Sequence, residues 1–412
     1  MEHRNTLQTK VQYQWPEQVL FFGLLACYAG ICGALFYVQC TGVLTARGMG
    51  DMVVYVSVVD GTWQQNWDFS YPIMFWLGKA FAALLGDAKY GLTAAVTVLC
   101  LLTALAMKYY LDRLTPPWRG HEQLGRMLNT LGVFGLLFCS MITVPEPFRG
   151  KWHMDAPRMP YYLPSGTINP WHNATFLAAR PFTIFCFFLF ARLLDRYEEK
   201  MDAKTGALFS AALLLATMAK PSFTLAFVST AGIIMLWRLL RSKFAGWRAF
   251  LQLGICFIPT FCALLYQYAG MLTGEGGEGI GFGFGKVLKH FSSNLPVAFL
   301  LGMAFPVAVL AWHAKELASN GAYRLSWQIG VVAYLEAYFL HENGERMVHA
   351  NFFWGYESAQ VLIFLCSLLL LLRDTTQQRG KRWARVIQWA LFVLHVVCGI
   401  VCFYNWIKPE GL

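Results

Sequence analysis

Roughly eleven uninterrupted apolar stretches run through this chain, starting near Val19, Gly91, Met127, Thr175, Thr205, Phe223, Leu251, Leu295, Trp327, Trp354 and Val386. A helix of about 20 apolar residues crosses the hydrocarbon of a bilayer. Nine of the stretches approach that length, and two, 205–219 and 327–340, are shorter. The runs are continuously apolar and do not alternate, which argues against a closed β-barrel. With 57% hydrophobic and 14% charged residues in 412, an ordinary soluble domain is excluded. The expected fold is all-α: one integral membrane domain over residues 1–412, a polytopic bundle of about 11 spans.

Charge sets the expected orientation. If residues 1–15 lie in the cytoplasm, 21 of the 33 Lys and Arg residues fall in that tail or in even-numbered connections. Lys108, Arg113, Arg119 and Arg126 form one such cluster, and Arg379, Lys381, Arg382 and Arg385 another. Because positive residues resist translocation, the amino terminus is expected inside, and the loops 42–87, 144–174, 269–293 and 341–353 outside. The first apolar run lacks a small-residue cleavage site and reads as a retained anchor. The surplus of ten positive charges lies mainly in the inside clusters, which suits topology and anionic lipid better than nucleic acid. This pattern fits a multi-pass protein of a bacterial cytoplasmic membrane with its working face outside.

The outside loops carry distinctive chemistry. Residues 71–79 are amphipathic and aromatic, suiting a helix that lies in the interface. Five prolines between Pro145 and Pro164, then Pro170, rule out a regular helix in the second loop. The run from Gly274 to Gly285 is glycine-dense and reads equally as a mobile gate or a connector. It lacks the GK[ST] of a phosphate-binding loop. All eleven cysteines lie in or at the ends of spans, as small apolar packers would. Asn173-Ala174-Thr175 matches a glycosylation acceptor, but a glycan at a span mouth would collide with the membrane. No internal repeat of the kind found in many carriers is present.

Four groups could carry chemistry. In Arg47-Gly48-Met49-Gly50-Asp51-Met52-Val53-Val54-Tyr55, Asp51 lies soon after the first span. It could take a proton from a positioned hydroxyl, or cap a helix beginning at Met52. Asp60 and Asp68 are lesser candidates, suited to turns. The second group is Asn169, Trp171, His172, Asn173 and Arg180 at the mouth of the fourth span. An Arg in the first turns of a membrane helix is costly unless it faces water or an anion, and phosphate is a natural partner. Snorkelling to the interface is the alternative. Lys220, in an outside hairpin, could bind an anion or snorkel. Glu342, Glu345, Arg346 and His349 form the last group, either a binding loop or a self-neutralising one. The outside histidines are too scattered to assign a metal, and a divalent ion is left open. No cofactor is indicated.

This layout resembles the GT-C class of polytopic membrane glycosyltransferases. The resemblance rests on the cytoplasmic amino terminus, the long first outside loop with Asp51 close after span 1, its interfacial helix, the aromatic second loop and the late polar loop. It departs in lacking an Asp-Asp or Glu-Asp pair after span 1 and a large soluble outer domain. The resemblance implies transfer of a hexosyl or pentosyl group, with inversion, from a polyprenyl-phosphate or polyprenyl-diphosphate donor to a glycan or glycolipid acceptor. Asp51 would be the catalytic base, with Asp60 as substitute. By charge and location, since the class has no strict motif for the carrier-phosphate site, Arg180 with Lys220 or Arg346 is expected to meet the phosphate, and His172, Asn173, Glu342, His349 and Trp171 to line the substrate site. Trp63, Trp67 and Trp152 could stack on sugar faces. The rival readings are an O-antigen-type polymerase or ligase, and a transporter or flippase for lipid-linked sugars.

Overall fold

The computed structural model describes residues 15–43, 50–64, 69–143, 164–273, 279–292 and 294–407. It is almost wholly helical. The helices are α1 (Trp15–Cys40), α2 (Met52–Asp60), α3 (Ile73–Leu85), α4 (Ala88–Leu114), α5 (Glu122–Phe138), α6 (Ala174–Leu194), α7 (Ala203–Ala219) and α8 (Ser222–Arg241). They continue as α9 (Trp247–Ile255), α10 (Ile258–Thr273), α11 (Lys286–Phe291), α12 (Leu295–His313), α13 (Glu316–Ser319), α14 (Gly321–Phe339), α15 (Phe353–Thr376) and α16 (Arg382–Ile407). Two three-residue strands, β1 (Ile280–Phe282) and β2 (Leu340–Glu342), pair antiparallel. Asp87, Asn173, Asp202, Asn294 and Asn320 each accept a backbone N–H of the first turn that follows, fixing the starts of α4, α6, α7, α12 and α14.

Each of the eleven apolar stretches falls in a helix, yet fewer than eleven could cross alone. Among the described residues, seven helical stretches are long and apolar enough: α1, α4, α6, α8, α12, Gly344–Thr376 and Arg382–Tyr404. The pair α9 and α10, bent by 52°, makes an eighth if taken as one span. Pro259, just inside α10, accounts for the break, because it cannot donate to the preceding turn. α5 and α7 have 17 residues each, and α14 carries Arg324, Gln328 and Glu336. Phe22, Leu236, Leu265 and Val393 are all half exposed or more, a surface that only lipid would cover. The chain is a multi-pass integral membrane protein.

Burial sorts the helices into a centre and a rim. In their most apolar windows, α15 is 94% and α6 83% enclosed, against 28% for α1 and 33% for α16. All eleven thiols are free, and eight are buried. Between α5 and α6 the chain does not stay at the surface. Residues 164–171 are buried without being helical. Irregular backbone at such depth must find partners within the protein. Thr167 N–H donates to Glu357 Oε1 at 3.0 Å, and Ser165 C=O accepts from Gln360 Nε2 at 3.0 Å. Asn169 Nδ2 donates to the carbonyls of Leu136 (2.9 Å) and Cys139 (2.7 Å), acceptors left over at the end of α5. Gln39 Nε2 does the same for Trp171 O at 2.9 Å.

A second buried junction lies beside Pro306. Ile142 N–H donates to Leu301 O at 2.9 Å, the acceptor that Phe305 N–H would otherwise use in α12. Phe305 N–H turns instead to His395 Nε2 at 3.3 Å, while His395 Nδ1 lies 2.6 Å from Ser140 O. A carbonyl can only accept and an amide can only donate, so the imidazole is neutral with its proton on Nδ1.

The buried segment demands glycine where it crosses α12. A Cβ on Gly302 would lie 1.9 Å from Ser165 O, whereas one on Gly232 in α8 would meet nothing within 4 Å. Gly302→Ala is therefore expected to destabilise the protein by about 1–3 kcal/mol, the usual cost of overpacking. Thermal unfolding in detergent checks this, with Gly232→Ala as the neutral control.

At the Arg-rich end of the bundle Lys108 is not the solvated loop cation that its cluster implied. Its ammonium is enclosed and lies 2.6 Å from Glu17 Oε1 in α1 and 2.7 Å from Asp112 Oδ2. Thr130 Oγ1 donates to Glu17 Oε1 at 2.9 Å, and Asn129 Nδ2 to Asp112 Oδ1 at 3.0 Å. Ionic and polar bonds thus clamp α1, α4 and α5 together.

The glycine-dense run divides. Residues 274–278 lie outside the described residues, as do Arg47, Trp67, Asp68, Trp152 and most of the proline-rich stretch. From Gly279 onward the chain is the β1 edge, packed so closely on β2 that a Cβ at Gly281 would strike Asn343 and His341.

Candidate functional site

The mouths of α2, α6, α8 and α15 meet at the end of the bundle opposite the Lys108 clamp. Gly50 takes φ +111°, open to glycine, and lies against His172 O and Gln39 Oε1, at 3.3 and 3.4 Å from where a Cβ would sit. That turn delivers Asp51 to the first position before α2, which starts at Met52 as the sequence suggests. The capping bond, however, is not made. Asp51 is exposed, its side chain accepts no backbone N–H of α2, and Tyr55 Oη donates to its Oδ2 at 3.3 Å. Among the described residues its other oxygen, Oδ1, makes no hydrogen bond. Tyr55 is held by edge-on rings of Phe69 and Phe75, and burial raises its phenol well above the ordinary value, so it stays a donor. Asp60, by contrast, is engaged in a turn, accepting Thr62 N–H at 2.9 Å and Thr62 Oγ1 at 2.6 Å.

Lys220 stands opposite Asp51. α7 ends there and Pro221 opens α8, so the side chain projects from a hairpin into the cluster. Its Nζ donates to Thr175 Oγ1 at 3.0 Å and contacts Asn173 Oδ1 at 3.3 Å. The rings of Trp354 and Tyr71 lie 5.3 and 5.9 Å from the ammonium, within cation–π range. Burial brings the Lys220 pKa down to about 8, with Asp51 and Glu357 working against the fall. His172, whose ring lies 5.6 Å from that of Trp354, is lowered to about 3, first by burial and then by Lys220. Its imidazole is neutral at physiological pH. Asn173 Oδ1 accepts Phe176 N–H at 3.0 Å and Thr175 Oγ1 at 2.9 Å, so the acceptor-like tripeptide serves as a helix cap.

Arg180 lies about 10 Å deeper along α6, at 1.5 Å per residue from Asn173. It is 4% exposed; Nη2 donates to Asn169 Oδ1 at 2.8 Å, the guanidinium covers Phe176, and Nε has no hydrogen-bond partner. It therefore does not snorkel, and it does not share the surface with Asp51. Glu357 is fully buried in α15, within electrostatic reach of both cations, and its Oε1 accepts Thr167 N–H.

The other residues singled out in the sequence lie apart. Trp171 is buried against Tyr28, Phe138 and Phe403, with no ring face free for a sugar. Glu342 Oε2 accepts Asn351 Nδ2 at 2.5 Å, while Arg346 and His349 sit on a 3-10 turn (Gly344–His349) directly after β2. Tyr55, Tyr71, Thr175, Trp354 and Glu357 had no assigned role. The spacing of Tyr55, four residues after Asp51 on one helix face, was a readable sign. Among the described residues no three His, Cys, Asp or Glu side chains gather as a metal site would need.

Comparison with known proteins returns no matching family, no similar curated protein and no similar solved structure. Function rests on the geometry.

Proposed function

We propose that the protein is a membrane glycosyltransferase of the GT-C kind. It moves a hexosyl or pentosyl group from a polyprenyl-phosphate or polyprenyl-diphosphate carrier to an acceptor hydroxyl in cell-surface glycan or glycolipid assembly. The observation that carries this reading is the pairing of an uncapped, exposed carboxylate, Asp51, with a half-buried ammonium, Lys220, at one mouth of the bundle. The loop-charge asymmetry puts that mouth outside the cytoplasm, in a bundle of about eleven helical passes.

In this reaction Asp51 takes the acceptor's proton as its oxygen attacks the anomeric carbon. The bond from that carbon to the carrier phosphate breaks with inversion, and the phosphate leaves with the electron pair. Lys220, nearer the mouth than the buried Arg180, meets the growing negative charge. Tyr55 holds one oxygen of Asp51 and leaves the other for the acceptor. Neutral His172 serves as a hydrogen-bonding group for a sugar hydroxyl. Transfer of a labelled sugar from a polyprenyl-phosphate donor by the purified protein tests the proposal; absence of glycosidic product across donors and acceptors rejects it.

Lys220 gives the reaction a pH signature. Its charged form is present below about pH 8 and is lost as pH rises through that value. Transfer is expected to fall on the alkaline side with kcat/KM breaking near 8. The break in kcat should lie higher, because a bound phosphate favours the ammonium. Lys220→Arg should remove the break, since guanidinium stays charged. A pH–rate profile of both proteins decides.

A second reading, a transporter or flippase for lipid-linked sugars, gains support from the buried ionisable residues Glu17, Lys108, Asp112, Arg180 and Glu357. Counterflow across sealed vesicles without glycosidic product would select it.

A further inference from the structure

A cavity of about 450 Å³ opens at the other end of the bundle, between the carboxy-terminal ends of α6 and α8 and the first turns of α14. Three guanidiniums line it, from Arg238, Arg241 and Arg324, against one carboxylate, Asp195. Asp195 is shared electrostatically among Arg238, Arg324 and Arg196, so positive charge remains in excess. Arg238 is anchored through Leu194 O at 2.6 Å and Glu198 at 3.7 Å, and Arg324 through the carbonyls of Leu317 and Ala318, both at 3.0 Å. Arg241 is exposed and has no hydrogen bond or ion pair among the described residues. Two cations are thus held in place and a third is free to close on a ligand.

The remaining wall is apolar. Ile233, Ile234, Trp237 and Leu325 line it, and Ile233 and Trp237 are 60% and 65% exposed on the flank of a membrane-spanning helix. The cavity therefore has a cationic floor at the end of the bundle and a side open to hydrocarbon. A soluble anion would use only the first of these. A ligand with a phosphate head and acyl chains uses both, because guanidinium forks match phosphate oxygens and apolar chains cover the exposed rings.

We propose that this cavity binds the phosphate of an anionic membrane lipid, with Arg241 and Arg324 as ligands and Trp237 and Ile233 against the acyl chain. The site lies at the opposite end of the bundle from Asp51 and does not depend on the reaction proposed there.

Native mass spectrometry of the full chain in detergent, titrated with phosphatidylglycerol, phosphatidylcholine of the same chains, or inorganic phosphate, tests it. Phosphatidylglycerol is expected to bind about tenfold more tightly than phosphatidylcholine, and Arg241→Gln to remove most of that preference. Asp195→Asn takes away the opposing charge and should tighten phosphatidylglycerol binding, a direction that misfolding could not give. Equal binding of the two lipids overturns the proposal, as does a preference untouched by both variants. Displacement of the lipid by inorganic phosphate at matching concentration would overturn the lipid as the source and identify a soluble phosphate site.

Discussion

Asp51→Asn is expected to lower sugar transfer by about 10²- to 10⁴-fold, the usual worth of a general base. Thermal stability should stay within about 0.5 kcal/mol of the parent, because surface substitutions away from caps and networks cost little. The uncapped carboxylate makes this separation possible: had Asp51 capped α2, loss of activity and loss of the helix start would be confounded. Asp60→Asn provides the contrast. Its oxygen serves the Thr62 turn, so that variant should keep its transfer rate. The check is the initial rate with a labelled polyprenyl-phosphate donor, at matched monodispersity. Transfer by Asp51→Asn at the parental rate would reject the base.

Lys108→Met should be the most damaging single change to the fold, with an expected loss of about 3–5 kcal/mol. The substitution preserves length and apolar stem but leaves Glu17 and Asp112 enclosed, at 1% and 4% exposure, without their cation. Neutralising both acids as well, in Glu17→Gln/Asp112→Asn/Lys108→Met, should recover much of the loss. Unfolding temperatures in detergent and the yield of monodisperse protein report both steps. A single variant as stable as the parent would show that the clamp is not what holds α1 to α4.

The sequence exposed helices more readily than it exposed what they enclose. Apolar runs located the seven or eight helices long and apolar enough to cross a membrane, since solvation by lipid is a property of each segment alone. Gly50-Asp51 located the start of α2 for a similarly local reason, the turn preference of glycine. Whether Asp51 would cap was not local, because Tyr55 competes for the carboxylate only once α2 packs on Phe69 and Phe75. The depth of Arg180 is fixed by Asn169, a residue of a segment whose prolines rule out a helix and whose many aromatics favour docking onto the bundle. Composition marks that loop as non-helical and docked; it cannot say which helices receive it. Lys108 was misread for the same cause. Asp112 four residues later was visible as a partner, but Glu17 lies in a different helix.

The threading of residues 164–173 has a consequence for biogenesis. During synthesis α6 leaves the translocon before α12 and α15 have been made, and those later helices supply Glu357, Gln360 and the gap at Gly302 that receive the segment. Insertion of the amino-terminal half therefore precedes its own completion. Thr167, Ser165 and the ring of His172 meet Glu357, Gln360 and Trp354 only when the last third of the polypeptide folds back onto this segment, so a nascent chain released early carries its helices but not these contacts.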